Sequence, residues 1–100
     1  MNLKFHELAL KEYDEHLAYY YQIDPELADR LQSETERMVA LVLSNPGMFR
    51  KRKKGYHRAN FRQFSYYLVY LVRDETIHLV SISHGSRRPE YWLDRLTDLQ

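Results

Sequence analysis

Apolar positions recur every three or four residues in the first half of the chain and alternate with polar ones in the second. Leu10, Tyr13, Leu17 and Tyr20 or Tyr21 make one stripe at helical spacing from about Glu7 onward. Glu12, Asp14 and Glu15 fall off that stripe and are expected to be solvated. A second helix opens at Asp24-Pro25-Glu26. Asp24 can accept from orphan N–H groups, Pro25 suits the first helical position, and Glu26 favours the positive end of the dipole. Its stripe is Leu27, Leu31, Met38, Leu41 and Val42, with Thr35 in the gap, and it stops near Ser44 because Asn45-Pro46-Gly47 cannot continue it. The two helices form a hairpin, and neither buries its stripe alone. Tyr19-Tyr20-Tyr21 at the end of the first helix either pads the core or forms a ledge for a partner.

The strand signals lie later, apart from a short alternation at Leu3 and Phe5. Tyr56 to Arg62 places Arg58, Asn60 and Arg62 on one face and His57, Ala59 and Phe61 on the other. Two β-branched and aromatic runs, Phe64 to Val72 and Ile77 to Ile82, flank the polar tetrad Arg73-Asp74-Glu75-Thr76, which predicts an antiparallel hairpin. Strict alternation from Ile77 to His84 sets Ile77, Leu79, Ser81 and Ser83 against His78, Val80, Ile82 and His84. Both sets contain apolar residues, so this strand is expected to be central with helix over at least one face. Pro89 and Glu90 are expected to start a last helix carrying Trp92 and Leu96 one turn apart. The order is β-α-α-β-β-β-α. It predicts an α+β fold, a single domain over residues 1–100, with a helical hairpin packed on a small, mainly antiparallel sheet and a short C-terminal helix.

Composition excludes several classes. The absence of Cys excludes a disulfide framework and thiolate metal sites. The N-terminus is charged from Lys4 onward and has no signal-peptide apolar region, and no apolar run approaches the roughly 20 residues that span a bilayer. The expectation is a soluble cytoplasmic protein. A net charge of +1 hides a division: residues 1–49 hold four Lys/Arg against nine Asp/Glu, and residues 50–100 hold eleven against five. One basic surface is therefore expected, suited to nucleic acid or to an acidic protein. Its densest part, Arg50-Lys51-Arg52-Lys53-Lys54, is expected to be an exposed, mobile loop because like charges repel. Tyr56, His57, Arg58 and Arg62 follow and interleave rings with cations, which favours an anionic partner.

No cofactor is expected. Gly47, Gly55 and Gly85 are isolated, so no phosphate-cradling loop exists, and no two His residues stand three to five apart, which argues against a metal site. What remains is phosphate chemistry without metal. RNA cleavage by the 2′-hydroxyl needs a base, an acid and fixed cations. Arg58, Arg62, Arg87 and Arg88 can supply the cations, and Tyr91 or His84 a proton, but Arg stays protonated and is a poor base.

The element order, the helix break before Asn45-Pro46-Gly47-Met48-Phe49, the run Tyr66-Tyr67-Leu68-Val69-Tyr70 and the ending His84-Gly85-Ser86-Arg87-Arg88-Pro89-Glu90-Tyr91-Trp92 together resemble the RelE/ParE superfamily of toxins from type II toxin–antitoxin systems. Phe5-His6 before the first helix also fits. The resemblance covers nearly the whole chain and implies a cognate antitoxin as partner. It implies one of two targets: ribosome-bound mRNA, cleaved by RelE-like members, or DNA gyrase, poisoned by ParE-like members that lack nuclease activity. Set on the nuclease pattern, Arg58 falls at one Lys position, Arg87 at the late Arg, and Tyr91 near the late Tyr. Asn60 stands where a second Lys would be, and Tyr67 where a strand Arg would be. The ending from Gly85 to Trp92 looks more ParE-like. The resemblance thus implies a gyrase-poisoning toxin with Arg58, Arg62, Arg87, Arg88 and Tyr91 facing the target and Arg50, Lys51, Arg52, Lys53 and Lys54 assisting electrostatically. The alternatives are a metal-independent endoribonuclease using Arg58, Arg62, Arg87, Tyr91 and His84, and a non-toxic member that retains only antitoxin binding.

Overall fold

The computed structural model describes residues 1–99. Strand β1 (Asn2–Phe5) leads into helices α1 (Glu7–Ile23) and α2 (Pro25–Ser44). A 3-10 turn at Pro46–Met48 follows, then strands β2 (His57–Asn60), β3 (Tyr66–Arg73) and β4 (Thr76–His84), and a 3-10 helix at Leu93–Leu99. The strands form one mixed sheet in the order β1-β4-β3-β2. β1 runs parallel to β4, and the other two pairs are antiparallel. The α+β architecture and the central place of β4 are as the sequence predicts.

Local chemistry accounts for the joints. The Asp24 carboxylate accepts from Glu26 N at 3.0 Å and caps α2, with Pro25 at its first turn. The β3–β4 turn holds Asp74 and Glu75 at φ +50° and +58°, a left-handed pair that matches the twist of a two-residue hairpin. Tyr70 donates its hydroxyl to Pro46 O at 2.7 Å, and the His57 ring donates Nδ1–H to Phe49 O at 2.7 Å, so the exit from α2 is bound to the sheet.

Two apolar layers sandwich the sheet. Leu31, Met38 and Val42 of α2 pack on Ala59, Phe61, Leu68, Tyr70, Ile77, Leu79 and Ile82. On the opposite face, Tyr56, Tyr67, Val69 and Val80 pack against Trp92 and Leu96 of the C-terminal segment. Each fully buried Leu, Ile or Val contributes about 1.5–3 kcal/mol, so both layers matter to a domain this small.

Four expectations are corrected. First, the α1 face is shifted: Ala9 and Glu12 are buried, while Leu10 is 44% exposed. Second, β4 does not alternate strictly. Leu79 pairs with Tyr70 and Ser81 with Val69, which leaves Val80 as an extra residue in a bulge. The bulge resets the phase, so Ile82 joins Ile77 and Leu79 on the helix side, and Val80 packs on the other side. Third, Pro89-Glu90 starts no helix. Glu90 sits at φ +59°, outside the helical range, and the C-terminal turns begin at Leu93 with three-residue spacing, Leu93 N to Glu90 O at 2.9 Å and Arg95 N to Trp92 O at 2.9 Å. Fourth, the basic segment is held by its backbone. Lys51 bridges to His57, Arg52 N donates to Tyr56 O at 2.7 Å, and Gly55 N donates to Arg52 O at 2.9 Å. Gly55 is at φ +92°, a conformation that disfavours any other residue.

Candidate target-binding surface

The predicted arginines and Tyr91 lie on or beside the face of the sheet away from α1 and α2, or on the turns at its border, whereas His84 packs on Tyr66 on the helix side. Arg58 lies on β2 with its guanidinium 3.8 Å from the centre of the Tyr67 ring, and its Nε donates to Asn60 Oδ1 at 3.0 Å. Asn60 pairs with Tyr67 across the ladder, so these three residues form one cluster. Behind it Trp92 Nε1 donates to the Tyr67 hydroxyl at 3.3 Å, which ties the C-terminal segment to the sheet. Arg87 repeats the arrangement, 4.1 Å from the Tyr91 ring. Stacking on a ring fixes a guanidinium plane while leaving its N–H edge available. Arg62, Arg87 and Arg88 are exposed. An open cleft of about 350 Å³ borders Arg58 and is lined by Asn60, Phe64, Ser65, Tyr67 and Gly85.

Tyr91 and His84 have different surroundings from the arginines. The Tyr91 hydroxyl is donated to Glu12 in a short hydrogen bond and lies 3.4 Å from Ser81 Oγ. Burial, then the bond to Glu12, push the phenol further up from its ordinary range. His84 Nδ1 accepts from Ser86 N at 3.1 Å, its ring packs edge-on against Tyr66, and the Ser86 hydroxyl lies 2.6 Å from the same nitrogen.

Glu12 is the residue sequence reasoning missed. Arg95 engages it with two N–H donors at 2.9 and 3.0 Å, Ser81 donates at 2.8 Å, and Ile82 N donates at 3.2 Å. Burial pushes the Glu12 carboxyl up. The hydrogen bonds from Arg95, Tyr91 and Ser81, with the charge of Arg95, outweigh burial and leave it below the usual carboxylate range. The network closes a gap in the sheet. β1 pairs with β4 only as far as Leu79, and beyond it Val80 O accepts from Arg95 at 3.0 Å while Ile82 O accepts from His16 Nε2 at 2.8 Å. Burial holds the His16 imidazole below its ordinary value, consistent with a neutral ring donating to that carbonyl. Three side chains thus stand in for the missing strand. Glu12 and His16 are one turn apart beside Ala9 and Tyr13, so a stripe centred on Ala9 would have included them.

The basic turn forms a third group. Arg50, Lys51, Arg52, Lys53 and Lys54, with Tyr56 and Glu90, line an open concavity of about 520 Å³. Glu90 accepts from Lys54 Nζ at 2.9 Å and from the Tyr56 hydroxyl at 2.8 Å, and these bonds hold its carboxyl below the usual range. Among the described residues no three His, Asp or Glu side chains converge as a metal site would require, and no helix is long and apolar enough to cross a membrane.

The fold is shared with solved toxins. A chain of the chromosomal ParDE toxin–antitoxin system from P. aeruginosa superposes with a TM-score of 0.73 at 19% identity, over 84% of this chain and 95% of that one. A mutant of E. coli toxin RelE in the free state superposes with a TM-score of 0.62 at 21% identity, over 99% of this chain and 97% of that one. These likenesses show a common fold. Residues 3–89 match the family described as the ParE toxin of the type II toxin–antitoxin system parDE, and the chain belongs to that family. Toxin ParE2 of Mycobacterium tuberculosis is 27% identical over 88 residues, spanning 87% of this chain and 84% of the relative.

Proposed function

We propose that this toxin acts by binding DNA gyrase and that a cognate antitoxin neutralises it by covering the same surface. The observation that carries this reading is the state of Tyr91. Its hydroxyl is committed to the buried Glu12 carboxylate, so one of the two protons that the sequence offers, those of Tyr91 and His84, is spent inside the fold. His84 has its Nδ1 engaged by Ser86, and the other groups are ring-stacked or exposed guanidiniums, which bind anionic surfaces well and transfer protons poorly. Asn60 and Tyr67 add a neutral amide and a phenol at positions where the resemblance to the nuclease pattern would place cations. Arg58, Arg62, Arg87 and Arg88 then form the target-facing set, with the Tyr91 ring as the seat of Arg87. A basic surface also steers an acidic antitoxin segment onto itself.

The test uses purified toxin in two assays, DNA supercoiling by gyrase and cleavage of ribosome-bound mRNA. Loss of supercoiling with intact mRNA is the expected result; cleaved mRNA with normal supercoiling sinks the gyrase reading and favours the endoribonuclease. Replacing Arg58 and Arg87 together with Ala is expected to relieve growth arrest while the protein stays folded. If arrest persists undiminished, those arginines are not at the target surface.

A further inference from the structure

We propose that the turn at residues 50–54 is a binding site for the phosphate backbone of duplex DNA, separate from the Arg58–Arg87 surface. The charge run alone is a weak signal. Three structural observations strengthen it. The segment is a pinned ribbon: Lys51 bridges to His57, Arg52 N is bonded to Tyr56 O, and the tip is closed by Gly55 N to Arg52 O. The backbone that carries the cations is therefore fixed before any ligand arrives, and less ordering entropy opposes binding.

Second, the ion pairing is selective. Lys54 is engaged by Glu90, the only acidic residue lining the concavity, and no ion pair is formed by Arg50, Lys51, Arg52 or Lys53 among the described residues. Four cations are left for a ligand. Third, the lining is five cations, Tyr56 and Glu90, without an aliphatic side chain. Tyr56 is itself packed edge-on against Trp92 and buried. A peptide partner draws much of its affinity from buried apolar anchors, and no aliphatic residue lines this concavity to receive one. A phosphate backbone needs only cations, because binding is driven by release of its condensed counterions. A turn bridged to the start of β2, with cations along its length, can lie along the phosphates of a duplex.

Glu90 then acts as a positioning residue. Its carboxylate takes Lys54 and Tyr56 together, which fixes the ribbon against the C-terminal segment and removes one cation from the contact.

The site is tested on toxin and DNA alone, so its failure would leave the gyrase reading standing. Fluorescence anisotropy of a short labelled duplex is followed between roughly 50 and 200 mM salt. Four free cations predict a log–log slope of about −3.6, or about a 100-fold loss of affinity over that range. Lys53→Ala is expected to weaken binding and make the slope shallower by about 1. Glu90→Gln, which frees Lys54, is expected to steepen it by a similar amount. A variant with Gln at Arg50, Lys51, Arg52 and Lys53, shown by its melting curve to be folded, is expected to lose the salt-dependent binding. The proposal is overturned if the native toxin fails to bind the duplex at low salt, or if the four-Gln variant binds with unchanged affinity and slope. It is also overturned if labelled poly-glutamate binds through these residues more tightly than the duplex.

Discussion

Charged groups work under opposite conditions in two regions of this toxin. Around Glu12 the charges are buried and saturated: one carboxylate takes Arg95, Tyr91, Ser81 and a backbone N–H. At residues 50–54 the charges are exposed except for the half-buried Arg52, and among the described residues only Lys54 has a carboxylate partner. A buried charge is tolerated only when fully paired, so the first region is committed to holding α1, β4 and the C-terminal segment together. An exposed cation costs the fold little and stays available to a ligand. The side chains that look most chemical thus differ in what engages them, and Tyr91 is bound into the fold by its hydroxyl while its ring carries Arg87 of the proposed target-facing set.

The contrast can be broken by substitution. Glu12→Ala leaves Arg95 and Ile82 N without their acceptor in a buried site and is expected to cost about 3–5 kcal/mol, read by urea unfolding. Glu12→Gln keeps the shape and some of the bonds and is expected to lose less. Acid is expected to weaken the same region in two stages. The folded His16 value is lowered, so its contribution is full above the ordinary value of 6.5 and is lost as pH falls through the folded value. The Glu12 contribution is full above 4.5 and is lost as pH falls further, through its own lowered value. Melting temperatures from neutral pH downward check this: His16→Gln is expected to remove the first stage and Glu12→Gln the second. At fixed neutral pH, His16→Ala is expected to cost about 1 kcal/mol for one hydrogen bond to Ile82 O. Lys53→Ala is expected to change stability by no more than about 0.5 kcal/mol, and a larger loss would make the basic turn structural as well.

Much of this division was hidden in the sequence. The helical hairpin, the Asp24 cap and the β3–β4 turn follow from local period and propensity, and the structure has them where the pattern puts them. The Glu12–Arg95 pair joins residues near opposite ends of the chain, and no local period links a carboxylate in α1 to a cation in the C-terminal segment. A bulge at Val80 depends on how β4 meets β3, so strict alternation assigned Ile82 to the wrong face. The left-handed Glu90 set the start of the last helix three residues late. Charge density argued for a mobile loop at residues 50–54, whereas backbone bonds from Arg52 and Gly55 hold it. Of the candidate site, the arginines were legible as cations on β2 and after β4; that Arg58 and Arg87 stack on Tyr67 and Tyr91 was not.

The central claim is that the Tyr91 hydroxyl serves the fold and not a reaction. Tyr91→Phe keeps the ring beneath Arg87 and removes only the bond to Glu12. Growth arrest per amount of folded toxin is the measurement. The account predicts arrest equal to that of the native toxin, with a melting temperature lowered by the lost hydrogen bond. Abolished arrest in a variant that melts like the native protein would show that the hydroxyl takes part in chemistry on the target and would contradict it.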